Sequence, residues 1–518
     1  MNVSIRRFRE DFDERVRKNA DRTACISAAT ENAWTYADIA SLSERSAAFL
    51  IKEGWETAKP VLSLLPNGIE QYVVYIAMLR FGGKFAPLSP MMRLPEILRF
   101  KDLVDASLCV LPEHVEPSIK EGLVKAGVKI VVVKTDASFR WLDGVSACAG
   151  RAPQGGEPGQ LYVATSGTTA EPKWMIIDGD RLWSSGVAFA GMHGFLDSKA
   201  RFYNVLPMSY LGGLYNLTLI PLATGASVVL SEAFSGTSLL GFWNDVERFD
   251  VNVLWLAPTL ARGLLSIHPR MNRETLEGIA GRIRASFLGM APIDLETKRK
   301  FEKAFSFPVL ENYALSETTF LTTETLDSRF RRSEGSVGEI LPYVDVRFSE
   351  KGELEVKSPF HCLGYLQSDG RAEVPRTDDG YFRTGDLGKA DPETHNVIIT
   401  GRLRDIVKKG GYLVSLRELE IFAERYPAVA EAAAVQIRHD FYGEDVVVFV
   451  ELKKDAGEPK GHLSKFRVWM TEELARFKWP ARVIAVEEFP RTSAGKIRKN
   501  VLKERLENSE RFLDSVKV

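Results

Sequence analysis

The feature that most restricts the fold of this chain is the alternation of short apolar, β-branched runs with segments long enough to form helices. The runs "KIVVVK", "LYVAT", "ASVVL" and "NVLWLAP" are each bounded by turn-forming residues. One segment between such runs places Ile39, Leu42, Phe49 and Leu50 on one face of a helix. Strands that alternate with helices form α/β layers around a mainly parallel sheet. The sequence therefore predicts an α/β protein whose large N-terminal domain has several layers.

A change of character near residue 402 predicts a second, smaller domain. Glycine-rich turns, "GYFRTGDLG" and "GRLRD", precede this point. After it, a helix that begins at Ser415, with a capping box to Glu418, is followed by the strand "VVVFVEL". We therefore expect an N-terminal domain over residues 1–402 and a small α+β domain over residues 403–518, with a cleft between them.

Composition excludes several classes of protein. Of the 518 residues 45% are hydrophobic and 26% are charged, and the formal net charge is -1, as in a soluble globular protein. A net charge near zero does not indicate the basic surface that binds nucleic acid. No apolar run reaches the roughly 18 residues of a membrane helix. The four cysteines (Cys25, Cys109, Cys148 and Cys362) form no CxxC pair, which fits a reducing compartment and argues against a zinc site. We expect a cytoplasmic protein that binds neither nucleic acid nor membranes.

The stretch "ATSGTTAEPKW", residues 164–174, combines uncovered backbone amides, hydroxyl groups and a lysine. Such groups can point at phosphate oxygens. The stretch is not a Walker A loop, because Pro172 stands where the second glycine belongs and Trp174 where the Ser/Thr belongs. Taken alone, it fits either another kind of phosphate loop or a flexible polar turn. Since it follows the buried strand "LYVAT", we expect it at the carboxyl end of a strand, where α/β sheets bind ligands.

Two further stretches carry groups suited to a nucleotide. "ENYALSETT" places Tyr313, Ser316 and Glu317 within five residues. An aromatic face can stack on a purine, a hydroxyl can donate to phosphate, and a carboxylate is a hard ligand for Mg²⁺. "GYFRTGDLG" holds Asp386 in a glycine-flanked turn, suited to accept hydrogen bonds from two ribose hydroxyls. Singly, Tyr313 could also pack in a core and Asp386 could only form a turn.

Two basic stretches follow. "GRLRDIVKKGGYLVS" brings Arg402 and a glycine-rich loop, and "PRTSAGKIRK" presents Lys496 on a turn of small residues. By themselves Arg402 fits a surface ion pair and Lys496 an ordinary surface lysine. Their meaning depends on the other stretches.

Together and in this order, the stretches resemble the adenylate-forming acyl-CoA synthetase superfamily, whose members include firefly luciferase and nonribosomal-peptide adenylation domains. The family's "TSGTTGxPKG" is present here as "TSGTTAEPKW", its "YGxTE" as "YALSE" and its "GxxxTGD" as "GYFRTGD". "GRxxDxIKxxGxxVxPxEIE" corresponds to "GRLRDIVKKGGYLVSLRELE", and "PRTxSGKIxR" to "PRTSAGKIRK". Weaker echoes include "FLGMAP" and "GELEVKSPFHCLGYL". The resemblance covers nearly the whole chain and implies that the small C-terminal domain is mobile.

The resemblance implies attack of a substrate carboxylate on the α-phosphate of ATP, giving an acyl-adenylate and pyrophosphate, and then acyl transfer to a thiol. Such a displacement needs in-line positioning and charge neutralisation. The implied cofactors are ATP, Mg²⁺ and coenzyme A, or the phosphopantetheine of a carrier protein. The implied catalytic set is Lys496, Glu317, Ser316 and Lys173, with Glu317 as the metal ligand. The implied nucleotide-binding set is Thr165, Ser166, Gly167, Thr168, Thr169, Gly289, Met290, Ala291, Tyr313, Asp386 and Arg402.

The resemblance also places the acyl substrate, the hinge and the thiol. The candidates for the acid pocket mix aromatic and small residues, which favours an aryl or medium-sized apolar acid; they are Tyr210, Gly212, Gly213, Trp255 and Phe320. On general grounds the three aromatics belong to the core, and the family position favours the pocket for Tyr210. The family's hinge position is Arg404. The candidates for the pantetheine tunnel are Lys409, Gly410, Gly411 and Tyr412.

Departures from the family pattern leave its charges in place. Ala170 replaces a glycine and so resists a left-handed backbone, and Trp174 replaces another with the bulkiest side chain. Three functions remain open: a ligase that uses free coenzyme A, a ligase that loads a separate carrier protein, and a non-catalytic adenylate binder. The last would be expected to lack Lys496 or Glu317, and both are present.

Overall fold

The structure, a computed structural model, describes residues 4–145, 157–165, 173–235, 238–290, 293, 295–327, 332–350, 352–367, 371–402, 406–453, 459–490, 497, 499–507 and 514–517. The chain divides into two compact units. Unit 1 comprises Met1–Pro90, Leu98–Val163 and Trp174–Gly401, and unit 2 comprises Met91–Ile97, Ala164–Lys173 and Arg402–Val518. The domain limits expected from the sequence, 1–402 and 403–518, stay a prediction.

The secondary structure alternates as the apolar pattern predicts. The strands are β1 (Thr23–Ser27), β2 (Ala33–Thr35), β3 (Pro60–Ser63), β4 (Lys84–Pro87), β5 (Leu108–Pro112), β6 (Lys129–Val133), β7 (Gln160–Thr165), β8 (Lys173–Asp178), β9 (Arg201–Asn204), β10 (Ser227–Leu230), β11 (Val253–Leu256), β12 (Ala285–Leu288), β13 (Val309–Leu315), β14 (Thr319–Thr323), β15 (Glu339–Ile340), β16 (Asp345–Phe348), β17 (Glu353–Lys357), β18 (Gly364–Leu366), β19 (Ala372–Glu373), β20 (Phe382–Ala390), β21 (Val397–Arg402), β22 (Ile406–Lys409), β23 (Tyr412–Ser415), β24 (Val429–His439), β25 (Gly443–Leu452), β26 (Arg482–Val486) and β27 (Asp514–Lys517). The α-helices are α1 (Phe8–Asn19), α2 (Tyr36–Lys52), α3 (Ile69–Arg80), α4 (Leu94–Val104), α5 (Pro117–Lys125), α6 (Gly179–Ala190), α7 (Ile220–Thr224), α8 (Phe242–Arg248), α9 (Pro258–Ile267), α10 (Arg273–Arg282), α11 (Leu295–Phe305), α12 (Leu416–Glu424), α13 (Pro459–Glu473) and α14 (Lys499–Glu507). A π-helix spans Gly212–Leu219.

Within the described residues, three sheets carry unit 1. Sheet A has the strand order β15-β14-β13-β12-β11-β9-β10-β1-β2, sheet B the order β19-β18-β8-β7-β4-β3-β5-β6, and sheet C the order β16-β17-β20-β21. The central pairings of sheets A and B are parallel, whereas β2, β14 and β15 in sheet A and β18 and β19 in sheet B add antiparallel pairs near the edges. The prediction of a large α/β domain with mainly parallel sheets is confirmed.

Local sequence explains the helices of unit 1. Thr35 and Asp38 form a capping box at the start of α2, and the predicted inward face, including Ile39, Leu42 and Leu50, is buried. Helix α3 is buried from Ile69 to Leu79, as expected for a helix that is apolar on nearly all sides. Among the described helices, none has the length and apolar character needed to cross a membrane.

Unit 2 is built on a different plan. Strands β23, β22, β25, β26 and β27 pair in that order, and β24 pairs with the other edge of β25 in a long antiparallel hairpin. The apolar faces of α12 and α13 bury Leu419, Phe422 and Phe466 in the core of this unit. Helix α12 begins at Leu416, close to the predicted start. The prediction of a smaller α+β domain at the C-terminal side is confirmed.

Candidate functional site

The carboxyl ends of β12 and β13 bring two of the predicted nucleotide-binding stretches side by side. The two strands are parallel, and Leu288 pairs with Glu311, so Gly289 and Met290 run next to the stretch that carries Tyr313. A Cβ atom on Gly289 would lie 2.6 Å from Oδ1 of Asn312, so a larger residue there would have to displace the asparagine side chain. Met290 has φ 67°, a left-handed backbone that turns the chain away from the strand. The third predicted member, Ala291, lies outside the described residues.

Asp386 lies in a bulge of β20 rather than in the turn expected from the sequence. Glu353 of β17 pairs with Leu387, whereas Glu355 pairs with Arg383, so three residues of β20 face one residue of β17. Gly385, in the middle of these three, has φ 72°, and the Thr384 hydroxyl donates to the Leu354 carbonyl at 2.8 Å. Glycine and threonine here produce a β-bulge, which re-aims a side chain without ending the strand.

Tyr313 and Asp386 meet across the site. The Tyr313 hydroxyl donates to Asp386 Oδ2 at 2.7 Å, although the two residues are 73 positions apart. Tyr313 is 9% exposed and Asp386 is 3% exposed. The fold therefore joins the residue predicted to stack on adenine with the one predicted to bind ribose.

Glu317 is held by a segment from elsewhere in the chain. It lies in the turn between β13 and β14, and its carbonyl accepts from the Cys362 N–H at 2.8 Å. Its carboxylate Oε1 accepts from the hydroxyl of Tyr365, on β18. Tyr365 is not among the residues predicted from the sequence. The sequence signal for it is weak, because it lies in "GELEVKSPFHCLGYL", a stretch that matches the family pattern only loosely.

The residues at Glu317 fit a Mg²⁺ ion that arrives with a nucleotide. Mg²⁺ in proteins is usually bound by one or two carboxylates together with substrate phosphates. Over the part of the chain that the structure describes, no group of three or more His, Cys, Asp or Glu side chains forms a protein cage for a metal. One carboxylate held in place by a phenol is the donor set expected for such a shared ion.

The far end of the same turn is held by hydroxyl groups. Thr319 has φ 61°, a strained conformation for a β-branched residue. Its Oγ1 lies 2.6 Å from Oγ of Ser185 on α6, and the Tyr215 hydroxyl donates to Ser185 at 2.7 Å. All three side chains are buried. The turn that carries Ser316 and Glu317 is thus fixed at both ends.

A buried network of ion pairs contacts the β13–β14 hairpin at Glu311 and Glu324. Lys298 Nζ on α11 lies 2.9 Å from Glu311 Oε1 and 2.6 Å from Glu324 Oε2. Arg332 adds a contact of 3.2 Å to Glu324, whose carboxylate also accepts from the Glu311 N–H at 2.8 Å. Burial raises the pKa of Glu311, and Lys298 opposes this rise. Sequence reasoning did not find this network, because its members are spread over three separate stretches.

The acid-pocket candidates lie at and beside an aromatic cluster. Trp255 and Phe320 are each 1% exposed, and their rings are 5.5 Å apart. Phe189 stacks on Phe320 at 4.0 Å, and Phe287 lies 4.5 Å from Trp255. Their assignment to the pocket stays a prediction.

Gly212 and Gly213 open the π-helix, and at Gly213 the close approach of another backbone segment requires glycine. A Cβ atom on Gly212 would lie 2.8 Å from Sδ of Met290, and one on Gly213 would lie 2.5 Å from the Pro207 carbonyl oxygen. Tyr210, just before this helix, is partly exposed. Gly212, one of the predicted pocket residues, therefore adjoins Met290 of the predicted nucleotide wall.

The phosphate-loop candidates flank two strands of sheet B. Thr165 ends β7, as expected, and Lys173 begins β8, while Ser166, Gly167, Thr168, Thr169 and Ala170 lie outside the described residues. Trp174 is 5% exposed and stacks on Phe100 of α4. The tryptophan that replaces the family's glycine is thus a core residue of unit 1.

In unit 2 the tunnel candidates lie at the β22–β23 turn. Lys409 Nζ lies 2.7 Å from Asp445 Oδ1 and donates to the Trp479 carbonyl at 2.7 Å, so its charge is paired within the unit. Gly410 and Gly411 have φ 57° and 87°, and Tyr412 stacks on Phe477 at 4.5 Å. Arg402 ends β21 but its side chain is outside the described set, as are Arg404 and Lys496. Their roles, like those of all the site residues, stay predictions.

Comparison with known proteins agrees with the resemblance. The family model described as AMP-binding enzyme matches residues 12–366, and that of the AMP-binding enzyme C-terminal domain matches residues 418–496. The oxalate–CoA ligase of Arabidopsis thaliana is 26% identical over 94% of this chain and 96% of its own. The 4-chlorobenzoate–CoA ligase of Arthrobacter sp is 26% identical over 91% and 90%. The solved amide bond synthetase from Marinactinospora thermotolerans has a TM-score of 0.81 and 26% identity, covering 95% of this chain and 99% of that one. Since the first family model spans well over half of the sequence, the chain belongs to the AMP-binding enzyme family.

Proposed function

We propose that this protein is an AMP-forming acid–CoA ligase. A substrate carboxylate and ATP give an acyl-adenylate and pyrophosphate, and the acyl group then passes to the thiol of coenzyme A with release of AMP and a proton. The observation that carries this proposal is the 2.7 Å hydrogen bond between Tyr313 and Asp386. It supports a single nucleoside site built from two distant motifs.

Each part of the site has a defined task in the first reaction. Tyr313, Gly289 and Met290 hold adenine, and Asp386 with Arg402 holds the ribose. Lys173 and the loop before it neutralise the β- and γ-phosphates, and Glu317 ligates Mg²⁺. The metal supplies charge neutralisation at the leaving pyrophosphate. Lys496 reaches both the attacking carboxylate and the α-phosphate, which requires a long cation.

The acid that we propose is apolar and carries one carboxylate, with aryl acids favoured. Aromatic side chains, those of Phe189 and Phe287, pack against Phe320 and Trp255. His193 packs on Phe189 and Phe287 in the same cluster, and burial lowers its pKa to about 3, so it is uncharged at neutral pH. A second carboxylate buried against these aromatic groups and the uncharged His193 would find no cation among them, and burying an unpaired charge is costly. The site therefore suits a chlorobenzoate-like acid better than an oxalate-like dianion.

Acid-dependent ATP–pyrophosphate exchange, measured without a thiol, tests both the formation of an acyl-adenylate and the proposed class of acid. We expect exchange with 4-chlorobenzoate, indole-3-acetate or hexanoate, and a kcat/KM for oxalate and malonate lower by roughly 100-fold or more, the cost of burying an unpaired charge. Coenzyme A, a phosphopantetheinylated carrier protein and a simple amine are then compared as acceptors. Exchange with dianions alone would contradict the acid class, and product only with the carrier protein or amine would contradict coenzyme A as the acceptor.

Replacing Asp386 by asparagine tests the ribose site. We expect the KM for ATP to rise roughly 10- to 100-fold, since a hydrogen bond to a charged group contributes about 1.5–3 kcal/mol. The sharper readout is the preference for ATP over 2′,3′-dideoxyATP, which the variant should lose because the carboxylate no longer accepts from the ribose hydroxyls. Asp345→Asn is the matched control, because Asp345 accepts from the Tyr381 hydroxyl at 2.6 Å outside the site. A D386N variant that still prefers ATP to the same degree would contradict the assignment.

A further inference from the structure

The carboxylate of Glu317 sits on a short turn and needs an external partner to keep one orientation. Its own element supplies only the turn Ser316–Thr318 between β13 and β14. The segment Cys362–Tyr365 donates two hydrogen bonds to Glu317. The Cys362 N–H donates to its backbone carbonyl, and the Tyr365 hydroxyl donates to its carboxylate. Backbone and side chain of Glu317 are therefore positioned by one and the same segment.

That segment is itself firmly held. Tyr365 pairs with Met175 and Gly364 with Ile176 in the antiparallel β18–β8 ladder, and the Leu363 N–H donates to the Ile176 carbonyl at 2.8 Å. Gly364 has φ 144°, and a Cβ atom there would lie 2.5 Å from the backbone N of Glu373. No side chain fits at this position, so β18 approaches its neighbours as closely as a backbone can. The phenol of Tyr365 is thus presented from a strand that is paired on both sides.

A metal-ligating carboxylate is oriented by the hydrogen bonds that it accepts, and removing such partners typically costs 10- to 100-fold in metal affinity or activity. We propose that Tyr365 is a positioning residue for the Mg²⁺–nucleotide site: its hydroxyl fixes the rotation of the Glu317 carboxylate, so that the carboxylate is aligned before the metal arrives. This proposal rests on the proposed role of Glu317 as metal ligand. The strained Thr319 and its Ser185 contact fix the other end of the turn, and the Tyr365 hydroxyl restrains the rotation of the carboxylate.

Tyr365→Phe removes one oxygen atom and leaves the ring. We expect the free Mg²⁺ concentration for half-maximal ATP–pyrophosphate exchange to rise roughly 10-fold or more, with exchange at saturating Mg²⁺ close to that of the unchanged protein. Without turnover, binding of Mn²⁺ to the protein with a non-hydrolysable ATP analogue, followed by EPR of free Mn²⁺, should weaken by a similar factor. Tyr381→Phe is the matched control, since it removes a phenol that donates to Asp345 at 2.6 Å away from the site; neither readout should change.

A double-mutant cycle separates positioning of Glu317 from a general effect on folding. In a Glu317→Gln background Tyr365→Phe should have little further effect on Mn²⁺ affinity, because its target is gone. An equal loss in both backgrounds, or unchanged metal dependence in the Y365F variant, would overturn the proposal, as would unchanged Mn²⁺ binding in the E317Q variant. If no acid supports exchange, the proposed ligase activity fails, while the Mn²⁺ titration still decides the role of Tyr365.

Discussion

Lys496→Ala is expected to lower acid-dependent ATP–pyrophosphate exchange by roughly 10²–10³-fold, the usual cost of removing one group that stabilises transition-state charge. The attacking carboxylate and the α-phosphate are both anionic, so their approach requires a cation that reaches both. Lysine supplies it as a compact charge on a flexible stem. The measurement is the exchange rate at saturating acid and ATP.

Two controls make this result specific. Lys503→Ala removes an exposed charge from α14, a few residues further on, and should leave exchange unchanged. The family resemblance implies that the small domain rotates between the two reactions and withdraws Lys496 before the second. The K496A variant should therefore still convert a synthetic acyl-adenylate and coenzyme A into the thioester. Loss of both reactions together would indicate a folding defect, and unaffected exchange would contradict the role of Lys496.

Lys298→Met is expected to destabilise unit 1 by about 3–5 kcal/mol, the typical cost of removing one partner from a buried ion pair. The lysine side chain is 7% exposed and contacts two buried carboxylates, Glu311 and Glu324. Glu324 keeps Arg332, but Glu311 loses the cation that most strongly opposes the rise of its pKa. The measurement is chemical denaturation followed by tryptophan fluorescence.

The pH dependence of this loss identifies its cause. Without Lys298 the pKa of Glu311 rises further, so the folded protein must bury a charge or take up a proton at neutral pH. The loss in free energy of unfolding, relative to the unchanged protein, should therefore be smaller at pH 5 than at pH 8. Adding Glu311→Gln should recover part of the stability, whereas Arg273→Met, which breaks the exposed Arg273–Glu277 pair, should change little. A pH-independent deficit would point to lost packing instead.

The elements and the family could be predicted because both depend on neighbouring residues. Apolar periodicity predicts α2, β6, β7, β10 and β11, since it reflects which side chains face a core. The residues of "RTGDLG" predict a sharp change in backbone direction, but they do not predict whether it is a turn or a β-bulge. A glycine with positive φ serves a turn or a bulge equally well, and the pairing of β17 with β20 decides for the bulge that aims Asp386.

The sequence by itself determined the α/β class, the two-part organisation and the identity of the groups available for nucleotide chemistry. Only the tertiary structure decided which of these groups meet. Tyr313 reaches Asp386 across 73 positions, Tyr365 reaches Glu317 across 48, and Lys298 lies between two carboxylates of a hairpin. Such partnerships follow from the way separate sheets and helices pack against one another, which brings distant residues together and which no local pattern encodes.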